Sequence, residues 1–343
     1  MATLPINAGG LGLYQMAETM QYAYLASRLQ TSDLQHHILR FSGVEGLGCR
    51  YDAAVNRILP YLGDASAVLL RSSVPKTMKL LAEKFFQYTV KHIGDSLELS
   101  PRHKALIHCL QAPYAQSYLL AVPIQGTGQK IEPRTFRSII GYRLGIPFFI
   151  NNPVCPSCNL ERMDEFGDHA LHCAAEIGVK HRHDQVRDLI FDLCRCAGVP
   201  SRKEVPLHCI SEDGGNLRPA DILLTCWEQG RDVCMDITGV SPFVSSGFNT
   251  FVPGQAVLKA AQRKVSKYGA KCTANGLGFL PFAFTTFGEL CEEAVEFLKR
   301  IRLATLSNAA YAKSAPHIFN RVGIFIQKGV GAQIVSRLPT NFL

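Results

Sequence analysis

The sequence predicts a mixed chain (α+β / α/β) with a helical N-terminal region, a small cysteine- and histidine-rich knuckle, and a C-terminal core in the order αβββαβ. Three observations carry this. Apolar residues recur at helical spacing up to about residue 145. Metal-ligand residue types cluster between Cys155 and Cys173. Beyond that cluster, short strand-like runs are flanked by long helical ones. The expected divisions are 1–148, 149–176 and 177–343.

With 343 residues, 47% of them hydrophobic, the chain is long enough for two or three domains with real cores. No apolar run reaches the roughly 18 residues that a spanning helix needs. Met1 to Gly12 lacks both a basic start and an apolar stretch. A soluble intracellular protein, nuclear or cytoplasmic and not secreted, is therefore expected, with its 12 cysteines mostly reduced. The net charge of +8 lies entirely in Gln255 to Leu343, which holds 12 Lys and Arg against four Asp and Glu. Such a local excess suits a polyanionic partner, with a solvated surface as the alternative.

The Gly9-Gly10-Leu11-Gly12 turn leads into a helix from Leu13 to about Gln35, with Leu13, Met16, Met20, Tyr24, Leu25 and Leu29 at helical spacing. Further helices are expected over Asp52 to Leu62, Pro75 to Val90 and Arg102 to Leu110, the last opened by Ser100 and Pro101. Pro133 to Leu144 reads as a short helix carrying Arg134, Arg137 and Arg143, either a phosphate track or a solvated face. After the cysteine cluster, Val179 to Cys196 is helical. Strand-like runs follow at Lys203 to Cys209, Leu217 to Thr225 and Arg231 to Thr238. A helix over Gln255 to Cys272, a strand over Leu277 to Phe284 and a helix over Phe287 to Ala304 complete the order.

Cys155, Cys158, His169 and Cys173 have the spacing C-x2-C-x10-H-x3-C. Three thiolates and an imidazole suit tetrahedral Zn2+, and a full set of four makes the metal structural. His172 is a rival fourth ligand.

Two aspartates lie in consecutive strand-like runs, Asp221 in Arg218-Pro219-Ala220-Asp221-Ile222 and Asp236 in Cys234-Met235-Asp236-Ile237-Thr238. In a hairpin of this length they can approach at one end, where two carboxylates repel unless a cation lies between them. Hard oxygen ligands suit Mg2+, which can activate a water toward a phosphodiester. On the following helix Ala260, Lys264, Lys267 and Lys271 share a stripe, so a lysine can reach such a site to offset phosphate charge. Exposed strand ends and a solvated lysine face are the alternatives.

These features resemble a known family: the restriction-like endonuclease of PD-(D/E)xK type that follows the reverse transcriptase in some non-LTR retrotransposons, and its plant relatives. The resemblance rests on the knuckle with Gly167-Asp168-His169-Ala170-Leu171-His172-Cys173, then Arg182-His183-Asp184, Arg218-Pro219-Ala220-Asp221-Ile222, Asp236-Ile237-Thr238, and Arg263-Lys264 with Lys267-Tyr268. It implies catalytic Asp221 and Asp236 holding Mg2+, a structural Zn2+, and DNA as partner, with RNA as a second candidate. The family's usual lysine position holds Thr238 here, so the resemblance passes that role to Lys264 or Lys267, with Lys264 favoured. Arg182, His183, Arg218 and Lys271 are candidate nucleic-acid contacts, a capping or core role for His183 being the alternative; Glu204 is either an extra metal ligand or a surface glutamate.

The resemblance reaches both ends, through Gly9 to Gly12 with Ala23-Tyr24-Leu25-Ala26-Ser27, similar to the segment after a polymerase palm, and through Ile318 to Pro339. No Tyr/Phe-x-Asp-Asp motif occurs, so polymerase activity is not expected. The expected function is nicking of target DNA; the competing expectations are an inactive nucleic-acid-binding remnant and a zinc-stabilised module for an acidic protein partner.

Overall fold

The computed structural model describes residues 1–39, 49–63, 74–96, 99–123, 128–173, 177–205, 209–210, 216–217, 220–243 and 248–339. They form two compact units, Met1–Ser100 and Pro101–Leu343. The boundary expected at 148 therefore falls earlier. The physical reason is that the Pro133–Leu144 helix and the knuckle pack into the same body as the sheet.

In the first unit α1 (Met16–Gln30), α2 (Ser32–Leu39), α3 (Cys49–Leu62) and α4 (Thr77–Ser96) follow one another. Tyr22, Leu25, Ala26 and Leu29 of α1 meet Ile58 and Leu62 of α3 and Leu81 and Phe85 of α4 in one core. The single helix expected to Gln35 is interrupted at Thr31, which caps α1 and whose hydroxyl bonds to Ser27 O at 2.7 Å. Ahead of it the chain doubles back tightly: a Cβ on Gly10 would lie 1.9 Å from Leu4 O, so only glycine permits the turn.

The second unit begins with α5 (Pro101–Gln111), α6 (Pro133–Leu144), the short α7 (Asp168–His172) and α8 (Ile177–Cys196). Then come β1 (Ser201–Lys203), β2 (Cys209–Ile210), β3 (Asn216–Leu217), β4 (Ile222–Glu228), β5 (Arg231–Val240), α9 (Gln255–Ala274), β6 (Gly278–Thr285), α10 (Glu292–Ser307) and α11 (Ile318–Val335). The main sheet has the order β1-β4-β5-β6, while β2 and β3 form a separate pair. β4 runs antiparallel to both β1 and β5, and β6 is parallel to β5. A parallel pair needs a long crossover, which α9 supplies. Two expected strands differ: β1 stops at Lys203 because Glu204 turns to φ 50, and the run from Leu217 is divided between β3 and β4. The helix expected from Phe287 starts only at Glu292, because Leu290 first bridges back to Phe284.

Alternation along β5 sorts its side chains. Val233, Met235 and Ile237 join the core with Val186, Leu189 and Ile190 of α8 and Phe297, Leu298 and Ile301 of α10. Cys234 faces the other way, with Leu223, Tyr268 and Cys272. Asp236 lies in this buried stretch, with 5% of its surface exposed.

Helix α11 carries three glycines at close approaches. Side chains there would run into Tyr118 at Gly323, Arg182 at Gly329, and Thr135 and Ile139 at Gly331. The arginines of α6 also tie into this body. Arg143 is buried and donates to Ala115 O at 3.2 Å, and Arg134 donates to Pro339 O at 2.6 Å. Neither a phosphate track nor a solvated face describes Arg143. Among the described residues no helix is long and apolar enough to cross a membrane.

Gly329→Ala is expected to destabilise the protein by about 1–3 kcal/mol, the usual cost of overpacking, because its Cβ would lie 2.5 Å from Arg182 Cγ and 3.1 Å from Arg182 Cα. Gly269→Ala in α9 meets only Val265 at 3.5 Å, and should instead stabilise by up to about 1 kcal/mol through helix propensity. Denaturant unfolding of the two variants should show shifts of opposite sign.

Candidate active site and metal centre

The knuckle is held open by backbone chemistry. Asp164 accepts from the N–H groups of Phe166, Asp168 and His169 at 3.1, 2.9 and 2.6 Å, and Gly167 at φ 83 starts α7. This projects His169 and Cys173 toward Cys155 and Cys158. The four ligand atoms lie within 4.8 Å of one another, with Cys155 Sγ 4.0 Å from Cys173 Sγ and Cys158 Sγ 3.6 Å from His169 Nε2. Such a set could hold a metal ion. Burial works against the Cys155 thiolate, but N–H groups of Cys158 and Ser157, the Arg337 side chain and His169 outweigh it and lower its pKa to about 6. His169 Nδ1 lies 2.9 Å from Glu161 Oε2, close enough to orient the ring although not aligned as a hydrogen bond. His172 is not in this set; its ring stands edge-on to His169 at 5.4 Å.

The knuckle is anchored by contacts that its spacing does not advertise. Arg102 makes two 2.7 Å bonds to the buried Asp168 carboxylate, which also accepts from Tyr142 Oη at 2.9 Å. The guanidinium stacks 3.9 Å from the Phe166 ring centre. Arg102 reads in sequence only as part of a helix start.

The second centre lies where β4 begins beside the middle of β5. Asp221 N donates to Met235 O at 2.9 Å, and Asp221 Oδ2 accepts from Ile237 N at 2.6 Å, so Asp221 brackets Asp236 on the neighbouring strand. From α8, His183 Nε2 lies 3.0 Å from the same Oδ2. From α9, Lys264 Nζ lies 2.8 Å from Asp236 Oδ2 and 3.2 Å from Oδ1, bonding to the latter. Asp236 Oδ2 is close to the ammonium but off a hydrogen-bond direction, and has no hydrogen bond among the described residues.

These surroundings divide the two carboxyls. Burial, opposed by Lys264 and reinforced by the Asp221 charge, raises the pKa of Asp236. For Asp221 burial acts the same way but is outweighed by His183, the Ile237 N–H and Lys264, so its pKa is lowered. Burial disfavours the charged imidazole of His183, yet Asp221 and Asp184 overcome it and raise that pKa. Two carboxylates on neighbouring strands, with the described side-chain hydrogen bonds of Asp221 all on its Oδ2, are hard oxygen donors that could hold a divalent cation.

Two sequence expectations change at this point, and the surface alternative for Glu204 is the one observed. Arg182 is no surface contact: it is 2% exposed, with Nη1 donating to Gln333 Oε1 at 2.5 Å and Nη2 to Leu171 O at 3.5 Å. Lys267, paired with Lys264 as a candidate, has its Nζ over the Tyr268 ring at 4.8 Å rather than on a carboxylate. Glu204 belongs to an exposed ion-pair group, bonded to Arg187. His183 is at the site, bonded to carboxylates. Lys271 is two turns along α9 from Lys264, and Arg218 lies outside the described residues.

No protein-family model matches the chain, and no curated protein matches it either.

Elemental analysis of the purified protein should find one equivalent of a tetrahedrally bound metal. His169→Ala and Cys173→Ser should each lose it and melt at lower temperature, whereas His172→Ala should keep it; retention by His169→Ala would move the fourth ligand to His172.

Proposed function

We propose that this chain is a divalent-metal-dependent DNA endonuclease of the PD-(D/E)xK type, with a structural Zn2+ in the knuckle. The observation that carries the reading is the convergence of Asp221, Asp236 and Lys264 from β4, β5 and α9 on one point. With the two-residue β2 and β3 paired apart from the main sheet, the order α8, β1, β4, β5, α9, β6 supports the reading by matching the order the resemblance implies.

In this reading Asp221 and Asp236 would hold Mg2+, which when bound would supply an activated water and offset phosphate charge. The chain's own groups do the rest. Lys264, on the Asp236 side, offsets the charge that builds on the phosphoryl oxygens. Its ammonium also favours the ionised form of Asp236, opposing the burial that raises that carboxyl's pKa.

Charge along α9 supports a polynucleotide substrate. Lys259, Arg263, Lys267 and Lys271 flank Lys264 on a helix with no acidic residue, and none forms an ion pair among the described residues. A pocket of about 290 Å³, lined in part by Phe251, Lys259 and Arg263, lies one turn before Lys264. Cations spaced along a helix meet a phosphate backbone without reading its sequence.

Nicking of supercoiled plasmid tests this. It should require Mg2+ or Mn2+, stop with EDTA, and disappear in Asp221→Ala and Asp236→Ala. Lys264→Ala should slow it by about 10²–10³-fold, the usual cost of losing one charge-stabilising donor, with Lys267→Ala much closer to wild type. Salt-dependent DNA binding without nicking in any metal would replace the nuclease by an inactive nucleic-acid-binding remnant.

A further inference from the structure

His183 performs no step in the reading above, yet it contacts the site from α8, whereas Lys264 comes from α9. We propose that His183 is a positioning residue: it fixes the Asp221 carboxylate so that one defined oxygen, Oδ1, is presented to the divalent cation. The proposal rests on the metal-dependent reading of this centre.

The geometry is specific. A carboxylate's last torsion is broad and nearly two-fold, so an unrestrained aspartate offers either oxygen. Here two donors from separate elements meet on one oxygen. Ile237 N from β5 lies 2.6 Å, and His183 Nε2 from α8 lies 3.0 Å, from Oδ2. A single donor would leave the carboxylate free to pivot about it; two from different directions fix its plane.

The imidazole is itself held. Its Nδ1 lies 3.2 Å from Asp184 Oδ1, and Arg187 Nη1 bonds to the same oxygen at 3.0 Å. Arg187 is pinned in turn by Asp188 at 3.1 Å and by Glu204. The charged groups around the ring are thus Asp184 and Asp221 in contact, with Asp236, Lys264 and Arg187 behind them. Directly before His183 in α8 is the buried Arg182, locked by Leu171 O and Gln333. The backbone that carries the imidazole therefore cannot shift independently of the core. Outer partners that hold ligands in this way typically change metal affinity by about 10–100-fold when removed.

The test is Mn2+ binding, followed by electron paramagnetic resonance, to the full chain with its knuckle metal in place. His183→Ala should weaken Mn2+ binding about 10–100-fold, and His183→Gln, which keeps a donor near the Nε2 position, should recover most of the loss. Asp221→Ala should abolish binding at this centre and identifies the signal. In the nicking assay the half-saturating metal concentration of His183→Ala should rise by a larger factor than the plateau rate falls. Unchanged Mn2+ affinity in His183→Ala, or no recovery with His183→Gln, overturns the proposal. If His183→Ala loses its folded circular-dichroism spectrum, Asp184→Asn carries the test, with a smaller shift in the same direction expected and no shift overturning it. The two readings fail separately. Mn2+ binding that depends on His183 without any nicking sinks the nuclease and leaves the positioning role. Nicking with a His183-independent affinity does the reverse.

Discussion

The second unit depends on a buried guanidinium. Arg182 lies in the core at 2% exposure, with neutral acceptors, Leu171 O and Gln333 Oε1, as its described partners. Burying a cation this way is expensive, and burial pulls its pKa down to about 10. The arrangement persists because the five donors of one guanidinium can satisfy acceptors on several segments at once. Here they join the end of the knuckle helix to α11, while the glycine at 329 gives the arginine stem its space. Gln333 completes the link through its amide to Ala170 O at 3.4 Å. The Cys/His cluster and the carboxylate pair are therefore parts of one packed body.

This explains what the sequence could and could not reveal. The Cys/His cluster was legible because the spacing of thiolates and an imidazole that could share one metal is tightly constrained. Asp221 and Asp236 were legible because charged residues inside strand-like apolar runs are costly and stand out. Arg182 was misread because an arginine beside a histidine and an aspartate looks like a phosphate contact; its burial depends on Gly329 and Gln333, nearly 150 positions away. The domain boundary was missed for a similar reason. Nothing local in Pro133 to Leu144 announces that Ile139 will pack with Tyr118 and Ile324. The short β2 and β3 were missed because two-residue strands carry no periodicity.

The two carboxylates occupy different environments despite lying side by side. Asp221 has two donors on one oxygen and remains ionised easily. Asp236 is more buried, faces one ammonium, and keeps an oxygen without a hydrogen bond among the described residues. A cation held between them would relieve the mutual repulsion and the desolvation of Asp236 together. The ligand type also separates this centre from the knuckle: carboxylate oxygens favour Mg2+, whereas three thiolates and an imidazole favour Zn2+.

A lysine supplied by a helix rather than by the strand makes the centre sensitive to packing. Two residues after Asp236 stands Thr238, on the same side of β5 by alternation, so a lysine there would be positioned by the strand itself. Lys264 instead reaches Asp236 only while α9 keeps its distance and rotation on the sheet. Ala260, one turn before Lys264, and the neighbouring Ala261 are both buried, and Tyr268, one turn after it, is buried against Cys234 and Leu223. Small residues on one side and an aromatic on the other set how closely the helix approaches. A larger side chain at Ala260 would lift α9 and draw the ammonium away from a carboxylate that burial leaves dependent on it. The position of the cation thus follows from helix packing, not from the local sequence around the acid it serves.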